Sequence, residues 1–150
     1  MLMLLTDDDD GCFGCGEKNA AGLHMAFEED APPGTACARA FLDPRFQGWR
    51  GIAHGGILAV LFDDAMAYVG VKELGCPGVM ARLNVRFRKP APVGEIAVVR
   101  VRATRRHGKV LKLEGRVFSE GGDLWATAEG TFFGKEPPAP DKIESEEDVR

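Results

Sequence analysis

The feature that most constrains the fold is an apolar stretch at residues 51–71, in which Asp63 and Asp64 are the only formally charged side chains. This stretch is too long for one strand and is rich in Ala, Leu and Met, which predicts a helix over residues 55–71. A helix that is apolar nearly all round is a buried helix. The rest of the chain must therefore supply a surface that covers it.

The residues after this helix have the pattern of long strands separated by turns. Two shorter strand-like runs, residues 23–27 and 35–42, precede the helix. Glycine at His107-Gly108 and at Gly121-Gly122 predicts two tight antiparallel hairpins. The sequence therefore predicts an α+β domain in which one long helix is covered by an antiparallel sheet. The four later strands are predicted at residues 79–89, 95–106, 109–119 and 123–133.

Length and composition indicate a single domain. A chain of 150 residues buries roughly 68 to 70% of its extended surface, which is enough for one core without metal or disulfide staples. We expect this domain at residues 11–134, with flexible acidic tails at residues 1–10 and 135–150. No run reaches the roughly 18 apolar residues of a membrane span, so we expect no membrane partner, a cytoplasmic location and reduced cysteines.

The charge is unevenly distributed along the chain. Residues 82–112 carry 10 basic and 1 acidic side chains, although the net charge of the whole chain is -4. Such a stretch can bind a phosphorylated ligand, but the solvent faces of strands are also ordinarily charged. The acidic overall balance and aromatic residues placed as core argue against a nucleic-acid partner.

The start of the predicted helix carries the sequence His54-Gly55-Gly56. Backbone N–H groups in a first helical turn have no intrahelical partner, and glycine lets a ligand oxygen approach them. These glycines could hold an oxyanion or phosphate, or could simply allow a tight turn. Asp63 lies seven residues after Gly56, which places both on one side of the helix. Burial of Asp63 would raise the pKa of its carboxyl, as a general base requires.

These motifs together resemble a known family. The sequence His54-Gly55-Gly56 followed by Asp63, after the FQGWRG segment at residues 46–51, is similar to the hotdog-fold acyl-CoA thioesterases of the PaaI/THEM4-like group. The CFGCG segment at residues 12–16 also resembles the opening of many members. The resemblance covers about residues 11–134 and does not indicate which acyl group is cleaved.

The resemblance implies a fold, a reaction and a place for the active site. The fold is a long helix wrapped by a curved antiparallel sheet, in homodimers or homotetramers whose active sites lie at the subunit interface. The reaction is hydrolysis of an acyl-CoA thioester without metal or organic cofactor. The Gly55 amide would polarise the thioester carbonyl, with Gly56 beside it, and Asp63 of the partner would act as general base or nucleophile. His54 would shape the site.

Two positions depart from the family pattern. Many relatives have Asn or Gln where this chain has Gly48, and a Ser or Thr where it has Met80. We expect Gln47, or Asn84 on the strand face of Met80, to position the water instead. The phosphates of coenzyme A are expected to meet basic residues near strand ends. These residues are Arg88, Lys89, Arg105 and Arg106.

Three alternatives remain open from the sequence. The missing hydroxyl at Met80 favours an acyl-CoA binding or sensing module without turnover. A hydratase of the same fold would use a histidine with an acid, which the offset of the acid here fits less well. Cys12 and Cys15 form half of a zinc knuckle, but the sequence offers no second pair at ligand spacing, so no metal site is expected.

Overall fold

The structure, a computed structural model, describes residues 11–135. The predicted acidic tails lie outside these residues, apart from Lys135. One long helix packs against a six-stranded antiparallel sheet, as the sequence predicts, and the strand order is β1-β2-β4-β5-β6-β3. The elements in chain order are β1 (Ala26–Phe27), β2 (Thr35–Phe41), a short 3-10 helix (Pro44–Phe46), α1 (Gly55–Leu74), β3 (Gly78–Phe87), β4 (Ile96–His107), β5 (Val110–Ser119) and β6 (Leu124–Gly134).

The helix α1 begins at the predicted residue and extends one turn beyond the predicted end. It ends at Gly75, which adopts the left-handed conformation with φ 67° and donates its N–H to the Val71 carbonyl at 2.9 Å. Glycine closes a helix in this way without steric cost. Within residues 11–135, no helix combines the length and apolarity needed to cross a membrane.

The core lies between α1 and the face of the sheet that it covers. Burying each large apolar side chain there contributes about 1.5 to 3 kcal/mol. The sheet wraps one side of the helix only, which leaves the opposite side uncovered by residues 11–135. Among the largest fully buried side chains are Phe62, Leu61, Met66 and Val69 from α1 and Phe132, Leu113, Val99 and Val117 from the strands.

The first strand is shorter than expected. Only Ala26 and Phe27 form β1, although Leu23 and Met25 are buried as the alternation predicts. The Phe27 ring stacks on Tyr68 of α1, with the ring centroids 4.2 Å apart. The two predicted hairpins form; the first has the expected two-residue loop, at residues 108–109, whereas the second loop spans four residues, 120–123.

Bulges in two strands change which residues share a face. In β3 the register shifts between Met80 and Arg82, so Ala81 is an extra residue. Met80 consequently packs toward the core, whereas Asn84 is exposed and pairs in register with the exposed Glu129. The expectation that Asn84 shares a face with Met80 is therefore wrong, because one extra residue reverses the alternation. A second shift in β4, between Ala103 and Arg105, has the same effect.

Candidate active site

The start of α1 presents one backbone donor that the fold does not use. His54 is the N-cap, and its Nδ1 accepts the N–H of Gly56 at 2.9 Å. The His54 carbonyl accepts the N–H of Ile57 at 2.9 Å. Within residues 11–135, nothing accepts the N–H of Gly55. The predicted donor at Gly55 is thus free for a ligand oxygen, while the Gly56 amide is occupied by His54.

His54→Ala should destabilise the fold by removing this cap. The Gly56 N–H would lose its acceptor at the helix start, and losing a side-chain N-cap costs about 0.5 to 2 kcal/mol. We expect a fall of this size in the free energy of unfolding, measured by urea denaturation. His54→Asn is the matched control, since an Asn side chain can accept the same bond. A fall as large in His54→Asn would contradict the capping role.

The loop before α1 is held by its own polar groups. The Gln47 side-chain oxygen accepts the N–H of Gly51 at 3.2 Å, and Gly48 donates its N–H to the Ile52 carbonyl at 2.8 Å. Gln47 therefore closes the loop in this chain, and its expected role of positioning water stays a prediction. Trp49 at the loop tip is 85% exposed.

A second exposed aromatic residue lies directly beside the free amide. A Cβ atom placed on Gly55 would lie 3.1 Å from Cζ of Phe87, so the ring covers one side of the helix start. Sequence reasoning missed Phe87, which is 56% exposed at the end of β3. The only sign of Phe87 in the sequence is that an aromatic residue stands between two arginines on a predicted strand. An apolar ring here lowers the local polarity and strengthens a hydrogen bond from Gly55.

Asp63 lies on the side of α1 that the sheet leaves uncovered. It shares a partly exposed stripe with Gly56, Val60 and Ala67, which confirms the predicted alignment of Gly56 and Asp63. The prediction that Asp63 is buried is wrong for the single chain, where this residue is exposed. Even so, partial desolvation by neighbouring atoms, and then the negative charge of Asp64, raise the pKa of the Asp63 carboxyl.

The free amide and the acid of one chain cannot act on the same atom. Asp63 lies eight residues after Gly55, which is about 12 Å along the axis of an α-helix. A single carbonyl cannot meet both groups at hydrogen-bond distance. Within one chain, Asp63 therefore lies about two helical turns from the free amide.

Asp64 points to a different part of the molecule. It is half-buried beneath the turn at residues 12–16, and the Cys12 thiol donates to its Oδ2 at 3.3 Å. The Phe13 ring meets Phe46 edge-on, with the centroids 6.2 Å apart, and so helps to hold this turn in place. Sequence reasoning did not bring Asp64 and the two cysteines together.

Comparison with known proteins identifies the family. A profile of the thioesterase superfamily matches residues 50–126, just over half of the 150-residue chain. The chain belongs to the thioesterase superfamily. This match includes the start of α1 and Asp63.

Individual relatives agree with the family match. Acyl-coenzyme A thioesterase THEM4 from Bos taurus is 30% identical over 98 residues, which cover 63% of this chain and 38% of that relative. The chain therefore spans well under half of that protein's length. The phenylacetic acid degradation protein PaaI from Thermus thermophilus superposes with a TM-score of 0.68 and 25% identity, covering 75% of this chain and 95% of that structure.

The hotdog fold is confirmed by the same comparisons. A crystal structure described as a thioesterase superfamily protein superposes with a TM-score of 0.71 at 24% identity, covering 83% of this chain and 60% of that one. The predicted resemblance to hotdog-fold acyl-CoA thioesterases of the PaaI/THEM4-like group is also confirmed.

The basic residues predicted to meet coenzyme A are spread over this chain. Arg106 donates to the Glu73 carbonyl at 3.0 Å, near the C-terminal end of α1. A 20-residue helix is about 30 Å long, so Arg106 lies far from Gly55 of its own chain. Arg88 and Lys89 follow β3, and both donate their backbone N–H to the Trp125 carbonyl. The contacts of these residues and of Arg105 with a phosphate remain predictions.

A groove of about 860 Å³ lies on the sheet face opposite α1. Arg88 is the only one of the basic residues predicted to bind phosphate that lines this groove. Asn84 lines the groove as well. The lining contains both charge signs, and Arg102 pairs there with Glu114. The groove is therefore separate from the helix start, and Asn84 lies on the opposite face of the sheet from Gly55 of its own chain.

Met80, which departs from the family pattern, is a core residue in this chain. A Cβ atom added to Gly130 would lie 2.6 Å from Met80 Cε and 2.5 Å from Met66 Sδ. Both thioethers thus pack between α1 and the sheet at this glycine. Met80 fills space in the core, and the group that positions water must come from elsewhere.

Proposed function

We propose that this chain hydrolyses an acyl-CoA thioester to a free acid and coenzyme A. The observation that carries this proposal is the Gly55 N–H, which is free at the start of a helix and lies beside the Phe87 ring. In the proposed site this N–H binds the thioester carbonyl oxygen. Asp63 of a second chain serves as the general base or the nucleophile.

The chemistry follows from where charge develops during the reaction. As water attacks the acyl carbon, negative charge grows on the carbonyl oxygen, where the Gly55 N–H and the positive end of the helix dipole stabilise it. One such donor contributes roughly 10² to 10³ in rate. Asp63 takes the proton from the attacking water, the C–S bond breaks, and the proton passes to the departing sulfur. In the nucleophilic variant, the Asp63 carboxylate attacks the acyl carbon, the C–S bond breaks and coenzyme A leaves as a thiolate that takes a proton from solvent. Water then cleaves the anhydride that has formed on Asp63.

His54 acts in this proposal as a positioning residue. Its Nδ1 holds the Gly56 amide at 2.9 Å, which fixes the first turn of α1 and leaves the neighbouring Gly55 amide as the free donor. A ligand oxygen is therefore directed to one donor at a defined place. A fixed donor acts without reorganising during the reaction.

The proposed site also requires a homodimer, alone or within a homotetramer. Two uncovered surfaces support such an assembly. The outer stripe of α1 exposes Asp63, and β3 is an edge strand on which Val79 is 46% and Phe87 is 56% exposed. Long apolar edge strands are normally paired or covered. Pairing along β3 would bring Phe87, and with it the Gly55 amide of one chain, close to a second chain.

A panel of acyl-CoA esters with short, long and aryl acyl groups tests the proposed reaction. The purified full chain should release free coenzyme A, detected continuously with a thiol reagent. Heat-denatured protein at the same concentration controls for thiols of the chain itself. Absence of release across the whole panel would contradict the hydrolase proposal.

The second candidate is an acyl-CoA binding or sensing module. The packing of Met80 into the core favours it, since this position holds no water in the way that a hydroxyl would. Calorimetry with the same panel separates the two. Saturable binding without release of coenzyme A selects the binding module, whereas turnover selects the enzyme.

A further inference from the structure

A cluster of three metal-ligand side chains lies between the N-terminal turn and α1. The Cys12 and Cys15 sulfurs and a carboxylate oxygen of Asp64 all lie within 4.8 Å of one another. Cys12 and Asp64 are 52 residues apart in the chain, so the fold itself creates this juxtaposition. We propose that Cys12, Cys15 and Asp64 bind a zinc ion. This site is independent of the proposed hydrolysis.

The backbone of the turn orients both sulfurs. Gly16 donates its N–H to the Cys12 carbonyl at 2.9 Å, which closes the turn. Cys15 donates its own N–H to the Cys12 sulfur at 3.5 Å. Both thiols therefore lie on the same side of a closed turn.

Gly14 allows the carboxylate to reach the turn. A Cβ atom on Gly14 would lie 2.2 Å from Asp64 Oδ2 and 2.4 Å from Asp64 Cγ, so any side chain there would displace Asp64. The glycine between the two cysteines is thus in direct contact with the third ligand. The turn and the helix fit together at the carboxylate, where an ion would be held.

The donor set and its spacing suit zinc. Two thiolates and one carboxylate oxygen are common zinc ligands, with Zn–S about 2.3 Å and Zn–O about 2.0 to 2.2 Å. A tetrahedral angle between such bonds separates sulfur and oxygen by about 3.5 Å. The Cys12 sulfur lies 3.3 Å from Asp64 Oδ2. Because Cys12 is exposed, water can take the fourth position.

The charges around the cluster also favour a cation. Within residues 11–135, no Lys, Arg or His side chain forms an ion pair with Asp64. Zinc would displace the thiol protons and compensate all three negative groups.

Zinc retention by the full chain tests this proposal directly. The protein is treated with a chelator under reducing conditions, reloaded with Zn²⁺ alone, desalted and analysed for metal. We expect about one zinc per chain. Loading with Co²⁺ should give the intense d–d absorption of a tetrahedral thiolate site. Removing both thiols, in Cys12→Ser with Cys15→Ser, should abolish retention.

Two single substitutions and a control make the test specific. Asp64→Asn should weaken zinc binding about tenfold or more, and Gly14→Ala should weaken it with all three ligands still present. Cys76→Ser, which alters a half-buried cysteine outside the cluster, should retain zinc like the wild type. Circular dichroism confirms that each variant is folded.

Three results would overturn the proposal. Equal zinc content in the wild type and the double cysteine variant would place the metal elsewhere. Equal zinc affinity in Asp64→Asn and Cys76→Ser would exclude the carboxylate as a ligand. Recovery of Cys12 and Cys15 as a disulfide that excludes zinc under the loading conditions would identify the pair as a redox site instead.

Discussion

Asp63→Asn should lower kcat for the acyl-CoA ester that the wild type cleaves fastest by about 10² to 10⁴. The substitution keeps the shape of the side chain but removes both the base and the nucleophile. The KM should change much less, because Asp63 acts on water or on the acyl carbon and does not hold coenzyme A. Initial rates of coenzyme A release, measured over a range of substrate concentrations, separate the two constants.

Asp30→Asn is the control for this substitution. Asp30 is likewise an exposed carboxylate, but it lies beside the groove on the far face of the sheet. The Asp30→Asn variant should retain the wild-type kcat, since the substitution removes the same charge at a position far from α1. A kcat in Asp63→Asn within about twofold of the control would remove Asp63 from the mechanism, since acid–base assistance contributes far more than that.

The requirement for two chains can be tested by mixing two inactive variants. Gly55→Pro removes the proposed N–H donor at the first position of α1, where proline is tolerated, and should reduce kcat about 10² to 10³-fold. Random exchange of subunits between Gly55→Pro and Asp63→Asn makes half of the dimers mixed. Each mixed dimer has one complete site, which combines Gly55 of one variant with Asp63 of the other. About a quarter of wild-type activity should then return. No recovery after verified exchange would place both groups in one chain.

The fold could be predicted because its signals are local. The apolar residues around Asp63 and Asp64 require a buried helix, and period-two alternation with glycine turns requires antiparallel strands. These patterns also aligned Gly56 with Asp63. The donor at Gly55 could be predicted for the same reason, since a free amide is a property of every helix start.

The remaining parts of the site depend on contacts between distant residues. The bulge at Ala81, which reverses the face of Asn84, leaves no mark in the alternation before the strands are paired. The approach of Asp64 to Cys12 depends on how the N-terminal turn packs on α1. The exposure of Asp63 reflects a sheet that covers one side of a helix whose composition is apolar nearly all round. None of these features has a periodic signal in the sequence.

The contact between α1 and β6 is centred on one ring. Phe132 is fully buried, and a Cβ atom added to Gly70 would lie 2.4 Å from its Cδ1. A Cβ atom added to Gly78 would lie 2.5 Å from its Cζ. The ring therefore fills a slot between two glycines, one on the helix and one on the neighbouring strand. Neither glycine has a side chain that could expand into this slot if the ring is removed.

Phe132→Ala should consequently lower the free energy of unfolding by about 3 to 5 kcal/mol, since a fully buried ring is lost and the two glycines cannot fill the cavity. Phe133→Ala is the matched control, because the next residue of β6 points to the other face and is 40% exposed. It should cost about 1 kcal/mol or less. Both are measured by urea denaturation at one protein concentration, because subunit association shifts apparent stability. Equal losses would show that the slot does not hold the helix on the sheet.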